Sequence, residues 1–506
     1  MHRVPDFLQP QDWMCKADLS QAYFNVPIAE SHRRFLRLIY KEKLLEMTCL
    51  PFGLSTAPKV FACLSNWVAQ ILREKGLRII VYLDDYLLVH QNREVLIDHV
   101  NILLDTLQFL GFQINYEKSV LVPQQIITFL GIVWNPWTNH KYLPVEKSAA
   151  VQKKVSQFIK SGKATLKELQ SLVGLLNFAS FTVPRGRLHH RATLDYLKTV
   201  LGSAASTEHN LPLIVVEEMF WWLQHCKLPT PIHVPPPTNF LTTDASDVAW
   251  GAHLDNIAVT GTWNSEEQLF HCNMKELLTI EKVLKIHAPS IAHGSLLIQS
   301  DNHTAVTYLR SEGGTRSQPM TILAHQILHI LDEHQIQFRI YHIPGRFNIH
   351  ADCLSRHRQP PEWHLLPSCT EMIFTKMGTP VIDLFASKTA RVVSNYATLD
   401  LNDQEAMIHD AFSVPWNFPI AWVFPPPFMI PRVLRHLNHA TGVYLIVAPR
   451  WEKVFWRADL KSRAIAPPFT LTNLKRFLVD TRTSLPPPKV QDIVLEIWKC
   501  GGGQRE

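Results

Sequence analysis

Seven acidic residues define the chemistry this chain can attempt: Asp18, Asp84 and Asp85 near its start, and Asp244, Glu276, Asp301 and Asp352 in its middle. Asp84 and Asp85 lie between two apolar runs, Ile79–Leu83 and Tyr86–Val89. β-Branched and aromatic residues on both sides predict two strands, with the acidic pair in the tight turn of a hairpin. Taken alone, such a pair serves most simply as the turn itself. A third carboxylate changes that reading. Asp18 stands at the predicted end of a strand in Lys16-Ala17-Asp18-Leu19 and brings the set to three. Carboxylate oxygens suit Mg²⁺, and two such ions roughly 4 Å apart stabilise both the attacking and the departing oxygen of a phosphoryl displacement.

Positioning two acidic sets takes several domains. The 506 residues allow three or four, and 46% hydrophobic with 19% charged residues fits ordinary globular cores. A formal net charge of +6 leans toward an anionic partner. The eight Cys show no metal-ligand spacing, which predicts reduced thiols and an intracellular protein of cytoplasm or nucleus. No apolar run approaches a membrane span, no signal-peptide core opens the chain, and no internal repeat is visible. Proline clusters at 229–237 and 360–367 predict linkers, and a third cluster at 486–488 precedes a short Gly-rich tail.

Around the first acidic set the motif order is specific. Cys15-Lys16-Ala17-Asp18 leads to Tyr23-Phe24, then Leu50-Pro51-Phe52-Gly53, a helical run over 59–73, and the Asp84-Asp85 hairpin. Leu110-Gly111 through Lys118-Ser119 and Phe129-Leu130-Gly131-Ile132-Val133-Trp134 complete the series. In this order the segments resemble motifs A to E of a reverse transcriptase of the retrotransposon and retrovirus type. The resemblance implies an antiparallel palm with helices, an RNA template, a DNA primer, dNTP substrates and two Mg²⁺ per active site, with Mn²⁺ as the alternative. By the same resemblance Asp18 and Asp84 hold metal and Asp85 assists. Tyr23 would lie against the sugar C2′ and exclude ribonucleotides; its plainer role is a core tyrosine. Phe52 and Gly53 would border the incoming nucleotide and template, with Phe52 where retroviral enzymes carry Gln. Lys118 would protonate pyrophosphate, a role weighed evenly against a solvated loop lysine. The hairpin at 129–134 would grip the primer end. Only 17 residues precede Asp18, so the fingers are expected to be truncated, with Arg33, Arg34, Arg37, Lys41 and Lys43 forming what remains of them. The expectation is a fragment of a longer polyprotein or a truncated gene copy.

Residues 144–236 read as a basic helical arm, by resemblance the thumb and connection. Thr165-Leu166-Lys167-Glu168 predicts a capping box, and Leu166, Leu169, Leu172, Val173 and Leu176 follow at helical spacing. Between Lys141 and Lys198, eight Lys and three Arg outnumber Glu146, Glu168 and Asp195, a local charge of +8. Such a surface suits the phosphates of a template–primer duplex, with Arg185, Arg187, His189, His190 and Arg191 as its densest patch.

The second acidic set lies in residues 237–358. Asp244 and Asp301 each end a predicted strand, a glycine turn is expected at Gly251, and Glu276 sits on a predicted helix. With Asp352 these residues resemble the four-carboxylate site of ribonuclease H. That implies an α/β domain, an RNA–DNA hybrid substrate and two further Mg²⁺. Asp247 reads as a local cap, and His350 is not counted as catalytic.

In residues 379–490, Val381–Ala386 and Val443–Pro449 predict strands of a third α/β domain. This segment resembles the adenine methyltransferase domain carried by tyrosine-recombinase (DIRS-type) retrotransposons. Phe424-Pro425-Pro426-Pro427 lacks the polar residue that accepts the target amine, so little or no methyl transfer is expected and the domain reads as a structural or DNA-binding remnant; Asp383 would serve a cofactor only if activity survived. Residues 359–378 are expected to be a linker and 491–506 a tail. The leading reading is an RNA-directed DNA polymerase fused to a ribonuclease H, from an LTR-type or DIRS-type retrotransposon. The alternative is a catalytically weak nucleic-acid-binding remnant. Oligomeric state is not legible.

Overall fold

The computed structural model describes residues 3–204, 206–314, 316–357, 362–481 and 483–504. The chain divides into two compact units, Met1–His233 and Val234–Glu506.

The first unit is built on an antiparallel sheet of β1 (Trp13–Ser20), β2 (Ile79–Tyr82), β3 (Asp85–His90), β4 (Gln113–Ile114) and β5 (Val120–Gln124). Its order is β2-β3-β1-β4, with β5 also on β1. Successive side chains of a strand point to opposite faces. Tyr86 and Leu88 of β3 thus join helices α1 (Ala57–Glu74) and α2 (Arg93–Phe109) in one core, with Phe61, Leu72, Leu96 and Leu103. Leu87 and Val89 join Phe129, Ile132 and Trp134 in another. Burial on both faces explains why the run around Asp84-Asp85 is apolar without alternation. The hairpin predicted at 129–134 forms, turning at Leu130 and Gly131, both with positive φ. Residues Arg37–Tyr40 and Lys43–Glu46 pair as an exposed hairpin, with Lys41 and Glu42 in its turn.

Helices α3 (Val145–Ser161), α4 (Leu166–Ala179), α5 (Arg191–Thr199) and α6 (Leu213–His225) form the arm around Val155, Leu169, Leu172, Leu176 and Trp222. The predicted capping box is present: Thr165 Oγ1 accepts from Glu168 N at 3.3 Å, and Glu168 Oε2 accepts from Thr165 N at 2.9 Å. These bonds hold the Glu168 carboxyl below its usual range. Thr165→Ala is expected to lower stability by about 1 kcal/mol, read from denaturant midpoints at constant m.

Proline misled the linker expectations. Thr230–Pro231 is an edge strand paired with His140–Lys141, a place where proline is tolerated, so the first linker is shorter than expected. Trp363–Leu365 pairs with Leu478–Asp480, and Pro367 opens a helix, Pro367–Met377, that buries Cys369, Ile373 and Met377. Proline at a first helical turn removes only an N–H that has no partner there anyway.

The second unit opens with a five-stranded sheet ordered β8-β7-β6-β9-β10: β6 (Asn239–Ala245), β7 (Ala249–Leu254), β8 (Ile257–Thr262), β9 (Ser295–Ser300) and β10 (Gln337–His342). β6, β7 and β8 are antiparallel, whereas β9 and β10 add in parallel. Helices α7 (Cys272–His287), α8 (His303–Arg310), α9 (Gln318–Glu333) and α10 (Ile349–Ser355) complete this half. A second sheet follows, ordered β11-β12-β13-β15-β14, from β11 (Ile382–Asp383), β12 (Asn417–Val423), β13 (Thr441–Pro449), β14 (Phe469–Leu471) and β15 (Leu495–Gly501). β11, β12 and β13 are parallel; β15 lies antiparallel between β13 and β14. The residues expected as a tail thus supply an inner strand, because Leu495, Ile497 and Cys500 are buried. None of the eight Cys is in a disulfide. Among the described residues no helix is long and apolar enough to cross a membrane.

Candidate active sites

In the first unit the hairpin turn is Leu83-Asp84, and Asp85 begins β3 opposite Tyr82. Leu83 has φ 57°. That conformation costs an ordinary residue about 1–2 kcal/mol, the kind of strain that collects at functional turns. Asp18 lies directly across the ladder from Asp85. Its amide donates to Ser119 Oγ at 3.0 Å, and its carbonyl accepts from Asn115 N at 2.8 Å. Leu19 N donates to Asp84 O at 3.2 Å. Two neighbouring strands and the 115–119 turn thus fix the backbones of the acidic set. Burial, then the charges of Asp84 and Asp18, push the Asp85 carboxyl up to about 6, while Lys16 pulls it down.

Tyr23, on a short 3₁₀ turn after β1, has its hydroxyl pKa raised by burial and then by the Asp84 charge. It packs edge-on to Phe52 at 5.1 Å and tilted against Phe61 at 4.9 Å. Phe52 remains 62% exposed, and Gly53 beside it has φ 86°. Lys118 is exposed on the turn that holds Asp18, with its amide on Asn115 Oδ1 at 3.3 Å. Sequence reasoning passed over Ser119 and Lys16; their one- and two-residue offsets from Lys118 and Asp18 were the available signal.

The basic patch differs from expectation. His190 is buried and its Nδ1 meets Gly186 O at 2.9 Å, while His189 stacks on Trp221 at 3.9 Å. Both histidines therefore belong to the packing of the arm. Arg185, Arg187 and Arg191 are half-buried around them. Lys141 lies in the same region with its ammonium 3.8 Å from the Phe181 ring, its pKa lowered to about 8 by burial and Arg187.

In the second unit Asp244 is the penultimate residue of β6, Glu276 sits one turn into α7, and Asp301 follows β9. Carboxylate oxygens of all three lie within 4.8 Å of one another. Burial, then Asp301 and Asp352, hold the Asp244 carboxyl up at about 6, against a hydrogen bond from Ser355 Oγ at 2.6 Å. Burial and the charges of Asp244 and Asp301 push Glu276 well above its usual range. Asp301 is also raised, chiefly by burial. Three crowded oxygen donors that resist ionising together fit a hard divalent cation, whose charge would remove the repulsion. Asp352 stands on α10, its carboxylate 2.7 Å from Arg356 Nε.

Close approach of backbones creates this arrangement. Gly251 is not in a turn: it pairs with Asp244 inside β7. A Cβ there would lie 2.5 Å from Leu354 Cβ and 2.6 Å from Ser355 N. Only a glycine lets α10 cross the sheet beside Asp244. Gly251→Ala is expected to cost about 1–3 kcal/mol of overpacking and to displace α10, seen as lower thermal stability and weaker divalent-cation binding. Gly345 performs the same service for Asp301, whose Oδ2 would be 2.8 Å from a Cβ. Ser246, not Asp247, caps the turn after β6, its Oγ accepting from Val248 N and Ala249 N at 3.3 and 3.1 Å. Asp247 is exposed. His350 packs against Phe428 at 5.3 Å and His253 at 5.8 Å. Ser355 and Arg356 were missed, although i+3 and i+4 spacing from Asp352 is the helical-neighbour signal.

In the last half, Asp383 is wholly buried, its oxygens accepting from Phe385 N and Val392 N at 3.2 Å each. Burial raises its carboxyl to about 7. The strand expected at 381–386 covers only Ile382–Asp383.

Three comparisons bear on these sites. The family model described as reverse transcriptase (RNA-dependent DNA polymerase) matches residues 6–134. The chain is 24% identical over 356 residues to the genome polyprotein of Petunia vein clearing virus, covering 67% of this chain and 15% of that protein. It is 25% identical over 361 residues to the enzymatic polyprotein of Cauliflower mosaic virus, covering 67% and 49%. The chain thus spans half or less of the length of these relatives. Among solved structures, a foamy viral protease-reverse transcriptase in complex with RNA/DNA hybrid is 19% identical with TM-score 0.40, over 67% of this chain and 45% of that one. Asp18, Asp84 and Asp85 all lie inside the segment, residues 6–134, that matches the reverse transcriptase family model.

Proposed function

We propose that this chain is an RNA-directed DNA polymerase joined to a nuclease that cuts the RNA strand of RNA–DNA hybrids, as part of a retroelement polyprotein. The observation that carries the nuclease half is the convergence of Asp244, Glu276 and Asp301 within 4.8 Å, in a chain whose residues 6–134 match the reverse transcriptase family model. Asp18, Asp84 and Asp85 would hold metal in the first unit; Asp244, Glu276, Asp301 and Asp352 in the second. Bound divalent ions would supply a deprotonated attacking oxygen and charge neutralisation at the leaving one. The protein's own groups orient the donors: Ser355 holds Asp244, Arg356 holds Asp352, and Ser119 fixes the strand of Asp18. Tyr23 and Phe52 form the wall against which a deoxynucleotide sugar would rest. Template, primer and hybrid would meet the arm through Arg185, Arg187 and Arg191, and Lys118 would serve the departing pyrophosphate. Cysteines that form no disulfide suit an intracellular site of action.

For the methyltransferase-like α/β half we propose a structural or DNA-binding role without methyl transfer. Both Asp383 oxygens are committed to backbone amides, and Phe424-Pro425-Pro426 after β12 offers no side-chain acceptor.

Primer extension on an RNA template, run beside hybrid cleavage with Asp84→Asn and Glu276→Gln controls, tests the reading. Extension and cleavage by wild type, each lost in its own variant, support it. Hybrid binding with neither activity overturns it in favour of a nucleic-acid-binding remnant.

A further inference from the structure

Three rings from three elements meet close to the second acidic set. Phe428, on a 3₁₀ turn after β12, has its ring centroid 5.3 Å from that of His350 on α10 and 5.4 Å from that of His253 on β7. The two histidine rings are 5.8 Å apart, edge to face. The backbone of Phe428 reaches further elements. Its carbonyl accepts from Gln299 Nε2 of β9 at 2.8 Å, and the same amide donates to Thr242 Oγ1 of β6 at 3.3 Å. Phe428, Gln299 and Thr242 are all buried. Each contacted position stands at one offset from an acidic residue: Thr242 two before Asp244, Gln299 two before Asp301, His350 two before Asp352. Residues two apart on a strand share a face, so the Gln299 amide ties β6 to β9 on the face that carries Asp244. Residues two apart on a helix do not, so the Phe428 ring acts on the body of α10 and not on the Asp352 carboxylate.

α10 needs such support. It has seven residues, and a helix that short is marginal unless packed. Its N-cap residue, Asn348, spends its side-chain amide on Thr243 O at 2.9 Å and caps no amide of the helix. Asp352 bonds to Arg356 at the end of the same helix and is not among the three carboxylates that converge within 4.8 Å. Where Asp352 lies relative to Asp244 is therefore set by where α10 lies. Gly251 and Ser355 hold the end of that helix against the sheet, whereas its first turn is held from the last α/β half through His350. The segment leading into it is held from the same half, since Ile343 and Phe347 share a buried cluster with Phe428 and Met429. We propose that Phe428 is a positioning residue for hybrid cleavage: through His350 and Gln299, the last α/β half sets where Asp352 stands relative to Asp244 and Asp301. This role rests on the hybrid-nuclease reading and gives the structural role of that half a target. A misplacement of about 1 Å at a reacting centre costs on the order of 10²-fold in rate.

The test uses the full chain, with hybrid cleavage in saturating Mg²⁺, primer extension on an RNA template and hydrogen exchange of residues 343–356 measured on each preparation. Phe428→Ala removes the ring. Phe428→Leu keeps an apolar side chain in the cluster without the flat faces, and decides alone should the alanine variant fail to fold. Phe455→Ala is the control, because Phe455 stacks on Tyr341 of β10 at 4.0 Å, a contact between the same two halves made away from α10 in sequence. The kcat of cleavage is expected to fall roughly ten- to a hundred-fold in Phe428→Ala and several-fold in Phe428→Leu, with KM for hybrid held within about two-fold. Amides of 349–355 should exchange several-fold faster in both, and primer extension should be unchanged. Phe455→Ala should keep the wild-type kcat. A wild-type kcat in the Phe428 variants, or unchanged exchange at 349–355, overturns the positioning role and leaves the nuclease reading intact. An equal fall of kcat in Phe455→Ala also overturns it, making the half a general stabiliser. Wild type that extends primers and cuts no hybrid overturns the nuclease reading and the positioning role with it.

Discussion

Replacing Asp244 with Asn, or Glu276 with Gln, should cut hybrid cleavage by on the order of 10³-fold, since a bound divalent ion supplies several kcal/mol of charge stabilisation and each factor of ten is about 1.4 kcal/mol. The same substitutions should make the metal-free protein more stable. Asp244 has its carboxyl raised from 3.8 to about 6 by burial and its acidic neighbours. The folded chain therefore holds a proton that the unfolded chain has released across that window. Stability of the metal-free protein is then highest below pH 4, falls as pH rises toward 6, and ends lower by about 3 kcal/mol from this group alone. Glu276→Gln removes another part of the repulsion, because Glu276 is raised by burial and by Asp244 and Asp301. A melting series in EDTA from pH 4 to 8 should show wild type losing several degrees and Glu276→Gln losing less. Millimolar Mg²⁺ or Mn²⁺ should restore wild type at pH 7.5 and leave the variant nearly unmoved. A wild-type curve flat with pH and indifferent to metal would mean that the acidic set is not a cation site.

Asp84→Asn should abolish primer extension by a comparable factor and leave hybrid cleavage unchanged, as measured in parallel on one preparation. Asp85 allows a finer check. In the metal-free protein its carboxyl is raised to about 6 by burial and by Asp84 and Asp18. Asp85→Asn should therefore stabilise the metal-free protein more at pH 8 than at pH 5, read from melting in EDTA. Because these substitutions also remove like charges from a crowded turn, the folded state should tolerate them; circular dichroism and hybrid anisotropy check that.

How far the sequence revealed these sites depended on whether a signal was local. The Asp84-Asp85 hairpin and the Thr165–Glu168 cap are made by neighbours, and both formed, the hairpin with its turn one residue earlier than read, at Leu83-Asp84. Asp244, Glu276 and Asp301 were recognisable as a set, but their meeting within 4.8 Å depends on strand pairing across 50 residues or more. Gly251 was misread because a glycine in a strand and a glycine in a turn look alike until the crossing helix is known. The same holds for His190, whose burial comes from the arm's packing rather than its basic surroundings. Pro367 and Leu495–Gly501 were taken for linker and tail because proline and glycine suggest breaks, whereas one starts a helix and the other fills the middle of a sheet.

That inner strand sets where the second unit can be cut. β15 comes last in sequence but bonds to both β13 and β14, so a polypeptide ending near residue 490 would leave two facing edges with unmet backbone groups. Such edges recruit other chains. Any expression boundary, nonsense change or protease cut between 472 and 494 should therefore yield aggregates instead of a shorter soluble enzyme, and a nick rejoined by adding back a 495–504 peptide should recover solubility.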